Sequence, residues 1–191
     1  MIQGYNDKVV QAYHKLMVSM AVMLGAEEAQ AKEEMKEALF LERELADFSL
    51  TKEKRRNITA LYNPMTITEI QKLYPEISFL TFINGVHGFK PDNAIEEDEV
   101  LNVATPEYIA SAGKHLETIS GRVVANYIIW RFVKESIGFF NFEAQDHYAE
   151  FDRVLSGKDQ EGQRWQKCVK SVAGLADGYR ELIYWSSSII N

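Results

Sequence analysis

From Val9 onward the apolar residues fall at Val9, Tyr13, Leu16, Met17, Met20 and Leu24, three or four positions apart. A half-buried strand would alternate every second residue, so this spacing predicts a helix. Gly25 follows the last apolar position, where a left-handed turn that closes a helix favours a residue without Cβ. A second helix is predicted over about 27–47, with Ala31, Met35, Ala38, Leu39 and Leu45 on one face and charged residues on the other. The pair reads as an antiparallel helical hairpin.

The periodicity fails over 49–63, a polar connection that ends at Pro64. Thr66 and Glu69 then have the spacing of a capping box, in which each side chain satisfies an amide at the other end of the first turn. A short helix over 66–74 follows. Pro75 interrupts it, and the apolar run Ile77, Phe79, Leu80, Phe82 and Ile83 suits either a helical turn or a strand, with helix preferred. Residues 85–98 carry the weakest structural signal, and 100–103 read as a brief extended segment.

Thr105, Pro106 and Glu107 form a helix start: a capping hydroxyl, a proline whose missing amide costs nothing at the first position, and an acid near the positive end. That helix is expected to reach about Thr118 and to break at Gly121. The next, over about 122–140, is apolar on nearly every side and is expected in the middle of the core. An amphipathic helix over about 142–155 stops at Gly157, and the last helical stretch runs from about Gln163 towards Trp185. The fold class expected is mainly α: one helical domain over 1–191, with a hairpin at the N-terminus, a buried central helix and little or no sheet.

The chain has 46% apolar and 26% charged residues, a composition suited to a globular fold with a real core. Its net charge of −7 sets an overall field that repels nucleic-acid backbones and anionic lipid. The basic run Lys52, Lys54, Arg55 and Arg56 lies on the polar connection and reads as solvated surface. No apolar run approaches the roughly 20 residues of a membrane span, and no signal sequence is visible at the start.

Candidate chemistry is sparse. None of the four histidines, His14, His87, His115 and His147, opens a His-Glu-x-x-His zinc helix. Glu143, Asp146, His147 and Glu150 come nearest to a metal set, with Glu143 and His147 one turn apart, but a carboxylate-bridged centre needs a matching second helix. A solvated face is the preferred reading. No Gly-x-Ser-x-Gly is present, and Gly85 and Gly88 lack the other glycines and the lysine of a phosphate loop. Cys168, the single cysteine, reads as a buried thiol or as one half of a disulfide whose partner lies outside these residues. Asn57-Ile58-Thr59 is an N-glycosylation acceptor on the polar connection and favours a secreted setting.

Several stretches, in order and over about 170 residues, are similar to the N-terminal domain of the neprilysin and endothelin-converting-enzyme family. They are Y-H-K-L-M-V-S-M-A-V-M-L-G from Tyr13, L-E-R-E-L-A from Leu41, A-L-Y-N-P-M-T from Ala60 and F-L-T-F-I-N from Phe79. Glu97-Asp98-Glu99-Val100 with Thr105-Pro106-Glu107-Tyr108, then V-A-N-Y-I-I-W-R from Val124, and finally Arg164-Trp165-x-x-Cys168-Val169 complete the series.

The resemblance implies a segment of a larger, membrane-anchored extracellular zinc metalloendopeptidase, contributing the lid and wall of a cavity that admits short peptides. The zinc helix, the remaining metal ligand and the substrate-binding strand of that family lie C-terminal to the matched stretches. The implied partners are therefore the C-terminal catalytic domain of the same polypeptide and short peptide substrates. No catalytic, metal or cofactor residue carries over to this chain, and zinc belongs to the full-length enzyme. The family's cysteine pair before the first helix is missing, since Asp7, Lys8, Val9 and Val10 stand there. In the family the cysteine matching Cys168 bonds upstream, which is why its partner is expected outside the chain. The competing reading is a stand-alone peptide- or protein-binding module derived from that family, without catalysis.

Overall fold

The computed structural model describes residues 4–75, 77–87, 94–157, 165, 168, 169 and 172. Among them stand seven α-helices, α1 (Lys8–Met23), α2 (Glu28–Phe48), α3 (Ile67–Leu73), α4 (Phe79–His87), α5 (Pro106–Thr118), α6 (Gly121–Ser136) and α7 (Phe142–Ser156). One antiparallel ribbon joins β1 (Pro64–Thr66) to β2 (Val100–Asn102), with Met65 opposite Leu101. The fold is mainly α. The helical stretch expected from Gln163 towards Trp185 lies largely outside the described residues, as do Arg164, Lys167 and Gly88; Trp165, Cys168, Val169 and Val172 are helical.

Local chemistry sets the helix ends. Asp7 caps α1 by accepting from the Val9 and Val10 amides, and Gly25 takes a φ of 105° in the turn to α2. Glu27, an unusual cap, accepts from the Ala29 and Gln30 amides and sets a negative charge against the positive end of α2. The Thr66–Glu69 capping box forms in full. Thr105 precedes α5 and Pro106 opens it, yet the Thr105 hydroxyl makes no capping bond. Gly121 begins α6 instead of separating it from α5 by a break of its own, and α7 ends on Gly157 at a φ of 68°.

The core has three parts. Leu16, Met17 and Met20 of α1, Met35 and Leu39 of α2, Trp130 and Val133 of α6, and Phe151 of α7 form the largest. Met17 and Met20 are fully enclosed, and truncating either to alanine removes contacts worth about 2–5 kcal/mol. Leu41, Leu45 and Ala112 join α2 to α5, and Ile70, Tyr74 and Val103 hold α3 and the ribbon together. The Tyr74 hydroxyl donates to the Pro106 carbonyl at 2.8 Å and ties that end to α5.

α6 departs from the expectation of burial on all sides. Its inner face supplies Trp130 and Val133 to the core. Its outer face, Ala125, Ile128, Ile129 and Phe132, is exposed, with Phe132 at 72% and Ile128 at 60%. These four residues fall at i, i+3, i+4 and i+7, a second apolar stripe, of which Ile129 also borders the space between α1, α2 and α6. An all-round apolar sequence therefore encodes a helix with two apolar faces, only one of which is covered within the described residues.

Candidate functional site

Polar side chains hold α6 onto the hairpin at three levels. Near its start, Arg122 donates through Nε and a terminal nitrogen to Glu34 Oε1 at 2.8 and 2.7 Å, and Asn126 Nδ2 donates to Glu34 Oε2 at 2.8 Å. One turn later Trp130 Nε1 donates to Tyr13 Oη at 2.8 Å, and Tyr13 in turn donates to Glu42 at 3.0 Å. Arg131 closes the network on Glu42 at 3.1 Å.

The electrostatics follow from these contacts. Donors from Arg122, Gln30 and Asn126 bring the Glu34 carboxyl down to about 2, because every one of them favours the ionised form. Burial, and then the Glu42 carboxylate, push the Tyr13 hydroxyl well above the usual phenol range, so it remains a proton donor. Neither group is free to exchange a proton with a substrate near neutral pH.

Between α1, α2 and the inner edge of α6 lies a cavity of about 400 Å³. Met17, Met20, Met35, Trp130 and Val133 form its apolar wall, and Glu34, Arg122 and Asn126 its polar rim. Its shape and lining suit an apolar side chain, and methionine lets such a wall adapt. No nucleophile paired with a base lines it.

The residues singled out in the sequence do not converge here. His14 sits between the Tyr5 hydroxyl at 3.1 Å and the Lys32 carbonyl at 3.0 Å, and burial lowers its proton affinity. His115 pairs with Glu44 at 2.8 Å and rests edge-on against Phe48. His87 ends α4. On α7, Glu150 is held by Lys15 of α1 at 2.6 Å, Glu143 and Asp146 are exposed, and half-buried His147 borders a groove against Ala12 and Leu16 of α1. Among the described residues no three carboxylate, histidine or cysteine side chains gather as a metal requires. The donors among the described residues do not form a set that fits zinc.

Asn57 lies on the connection between α2 and β1, exposed, with its Oδ1 accepting from the Ala60 amide at 3.2 Å. The basic run beside it includes a single 3-10 turn, Lys54–Arg56, and is exposed throughout. Cys168 is free and exposed, not the buried thiol expected. No helix of the described residues is long and apolar enough to cross a membrane.

Sequence reading passed over the Glu34–Arg122 and Tyr13–Trp130 pairs, although the signal was present. Asn126, Trp130 and Arg131 all belong to the V-A-N-Y-I-I-W-R stretch, and each spends its polar group on the hairpin. That stretch is a docking motif for α1 and α2.

Comparison with known proteins agrees with the fold and the motifs. The N-terminal profile of peptidase family M13 matches residues 3–180. Neprilysin-2 of Drosophila melanogaster is 35% identical over 170 residues, covering 88% of this chain and 22% of that protein. Endothelin-converting enzyme 1 of Homo sapiens is 31% identical over 166 residues, covering 86% of this chain and 21% of the relative. The chain thus spans about a fifth of the length of the curated relatives it matches. In three dimensions it is similar to the zinc metalloprotease ZMP1 of Mycobacterium tuberculosis in its open state, with a TM-score of 0.80 at 22% identity over 94% of this chain and 28% of that one. The chain belongs to peptidase family M13 and corresponds to that family's N-terminal region.

Proposed function

We propose that this chain is the helical, non-catalytic part of a neprilysin-like zinc metalloendopeptidase, walling the cavity in which short peptides are held for cleavage. The observation that carries the reading is the outer stripe of α6, where Ile128, Ile129 and Phe132 are 58–72% exposed. An apolar row of this kind on a helix already packed on its other side needs a partner surface. A catalytic half in the same polypeptide supplies one, and the match to about a fifth of each relative's length supports such a half. Zinc and its ligands then belong to that half, and the placement is an ectodomain.

The test is the full-length polypeptide assayed on peptides of graded length. Cleavage confined to short peptides, abolished by a chelator and widened to longer ones when the α6 stripe is made polar, supports the wall. Indifference of the length limit to that change sinks it.

The cavity of about 400 Å³ favours a second reading, a stand-alone peptide- or protein-binding module. Transcript sequence beyond Asn191 separates the two. A His-Glu-x-x-His in the same frame supports the enzyme, and a stop codon supports the module.

A further inference from the structure

The connection between α2 and β1 has a shape of its own. Residues 51–60 are all exposed, and Ile58, an apolar side chain at its crest, is 81% exposed. Asn57 organises the crest from both ends of its residue. Its amide donates to the Lys54 carbonyl at 3.2 Å, its carbonyl accepts from the Leu61 amide at 3.3 Å, and its Oδ1 accepts from the Ala60 amide at 3.2 Å. Its Nδ2 has no hydrogen-bond partner among the described residues. Thr59, two positions on, is exposed as well, and Asn57-Ile58-Thr59 is the one Asn-x-Ser/Thr triplet in the 191 residues.

We infer that Asn57 is an N-glycan attachment site, the acceptor being its Nδ2 and the donor an oligosaccharide carried on a lipid pyrophosphate. The inference rests on the ectodomain placement proposed above, since the transfer takes place in the secretory lumen. In the step, Nδ2 attacks the anomeric carbon and an N–C bond forms. The C–O bond to the pyrophosphate breaks, the lipid pyrophosphate leaves with the electron pair, and one amide proton passes to a base of the transferase. No oxidant or reductant is needed.

The geometry explains why the fold tolerates the product. Glycosylation takes the nitrogen, which the turn does not use, and leaves Oδ1, which holds the Ala60 amide. A glycan at Asn57 would stand on a stretch, 51–60, that is exposed throughout, next to the exposed Ile58 side chain.

The same bond separates a structural asparagine from an acceptor. Asn57→Asp keeps an oxygen for Ala60 but removes the nitrogen, and Thr59→Ala removes the hydroxyl that the acceptor triplet requires, whereas Thr59→Ser keeps it. The 191-residue chain is carried into the lumen of eukaryotic cells behind a cleavable leader, recovered with the leader removed, and treated with an amidase that releases N-glycans. We expect the wild type and Thr59→Ser to shift to faster mobility on treatment. Asn57→Asp and Thr59→Ala should run there already, with thermal unfolding midpoints unchanged from the deglycosylated wild type. Leader-processed wild type whose Asn57 is unmodified by peptide mass spectrometry overturns the inference. Failure of the ectodomain reading shows elsewhere, as native full-length polypeptide that protease added to intact cells leaves uncut.

Discussion

Trp130 of α6 donates its indole N–H to Tyr13 Oη of α1 across 2.8 Å, and the two rings meet edge to face with centroids 5.6 Å apart. The bond spans 117 positions of sequence and locks the third core helix onto the hairpin. Because Tyr13 passes its own proton towards Glu42, losing Trp130 leaves a half-buried hydroxyl with an acceptor but no donor. Trp130→Phe should destabilise the chain by about 1–2 kcal/mol, and Trp130→Ala by about 3–5 kcal/mol once the cavity cost is added. Urea unfolding gives the measurement, with a lower midpoint at an unchanged slope as the expected signature. Wild-type stability in Trp130→Ala would mean that α6 is not held this way.

Acid should loosen the hairpin in two steps with opposite neighbours but the same sign. His14 binds its proton less readily in the folded chain than its usual value of 6.5, chiefly through burial, so its contribution is whole above pH 6.5 and is lost as pH falls below it. The facing groups are Tyr5, Lys36 and Glu33 with the Lys32 carbonyl. Glu34 is held at about 2 against an ordinary 4.5, so its contribution is whole above pH 4.5 and fades as pH falls towards 2. Thermal unfolding followed against pH should show His14→Gln flattening the upper step and Glu34→Gln the lower. A profile unchanged by both substitutions would remove these groups from the account.

The outer face of α6 predicts a difference between the part and the whole. Phe132 and Ile128 lie mostly in solvent here, so Phe132→Ser with Ile128→Ser should alter the stability of the 191-residue chain by no more than about 0.5 kcal/mol for each site. If the proposed partner surface covers the stripe in the full-length polypeptide, the same pair should there lower the unfolding temperature and speed cleavage by a trace of added protease. Equal responses in both backgrounds count against a partner on this face.

Purified by itself and supplied with zinc, the 191-residue chain should hydrolyse no peptide. Glu143, Asp146 and His147 share a helix, Glu150 is spent on Lys15, and no metal-holding group forms among the described residues. Incubation with a fluorogenic short peptide is the check, and chelator-sensitive turnover would contradict the assignment of zinc to another part of the polypeptide.

The helices themselves were legible in the residue order, because their causes lie within a turn or two of the chain. The 3.6-residue rhythm of Leu16, Met17 and Met20, the Thr66–Glu69 box and the glycines at 25 and 157 each act over four residues or fewer, and each appears where it was expected. Of the ribbon, the extended segment at 100–103 was legible and its partner strand was not. Three residues at Pro64–Thr66 are too few to show an alternation, and their pairing to Val100–Asn102 depends on residues far along the chain, as with Met65 and Leu101. The missing cap at Thr105 has the same lesson, since a hydroxyl two bonds from the backbone can turn away when nothing else fixes it.

What the sequence decided alone was the helical class, the helix ends and the family motifs, all written in short-range spacing. Tertiary structure decided which polar groups meet, as in Glu34 with Arg122 and Tyr13 with Trp130, and which face of α6 is covered. The reason is that burial belongs to a pair of surfaces and not to a residue. Phe132 and Val133 are neighbours of similar apolar character, yet one faces solvent and the other the core, because α2 packs on only one side of their helix.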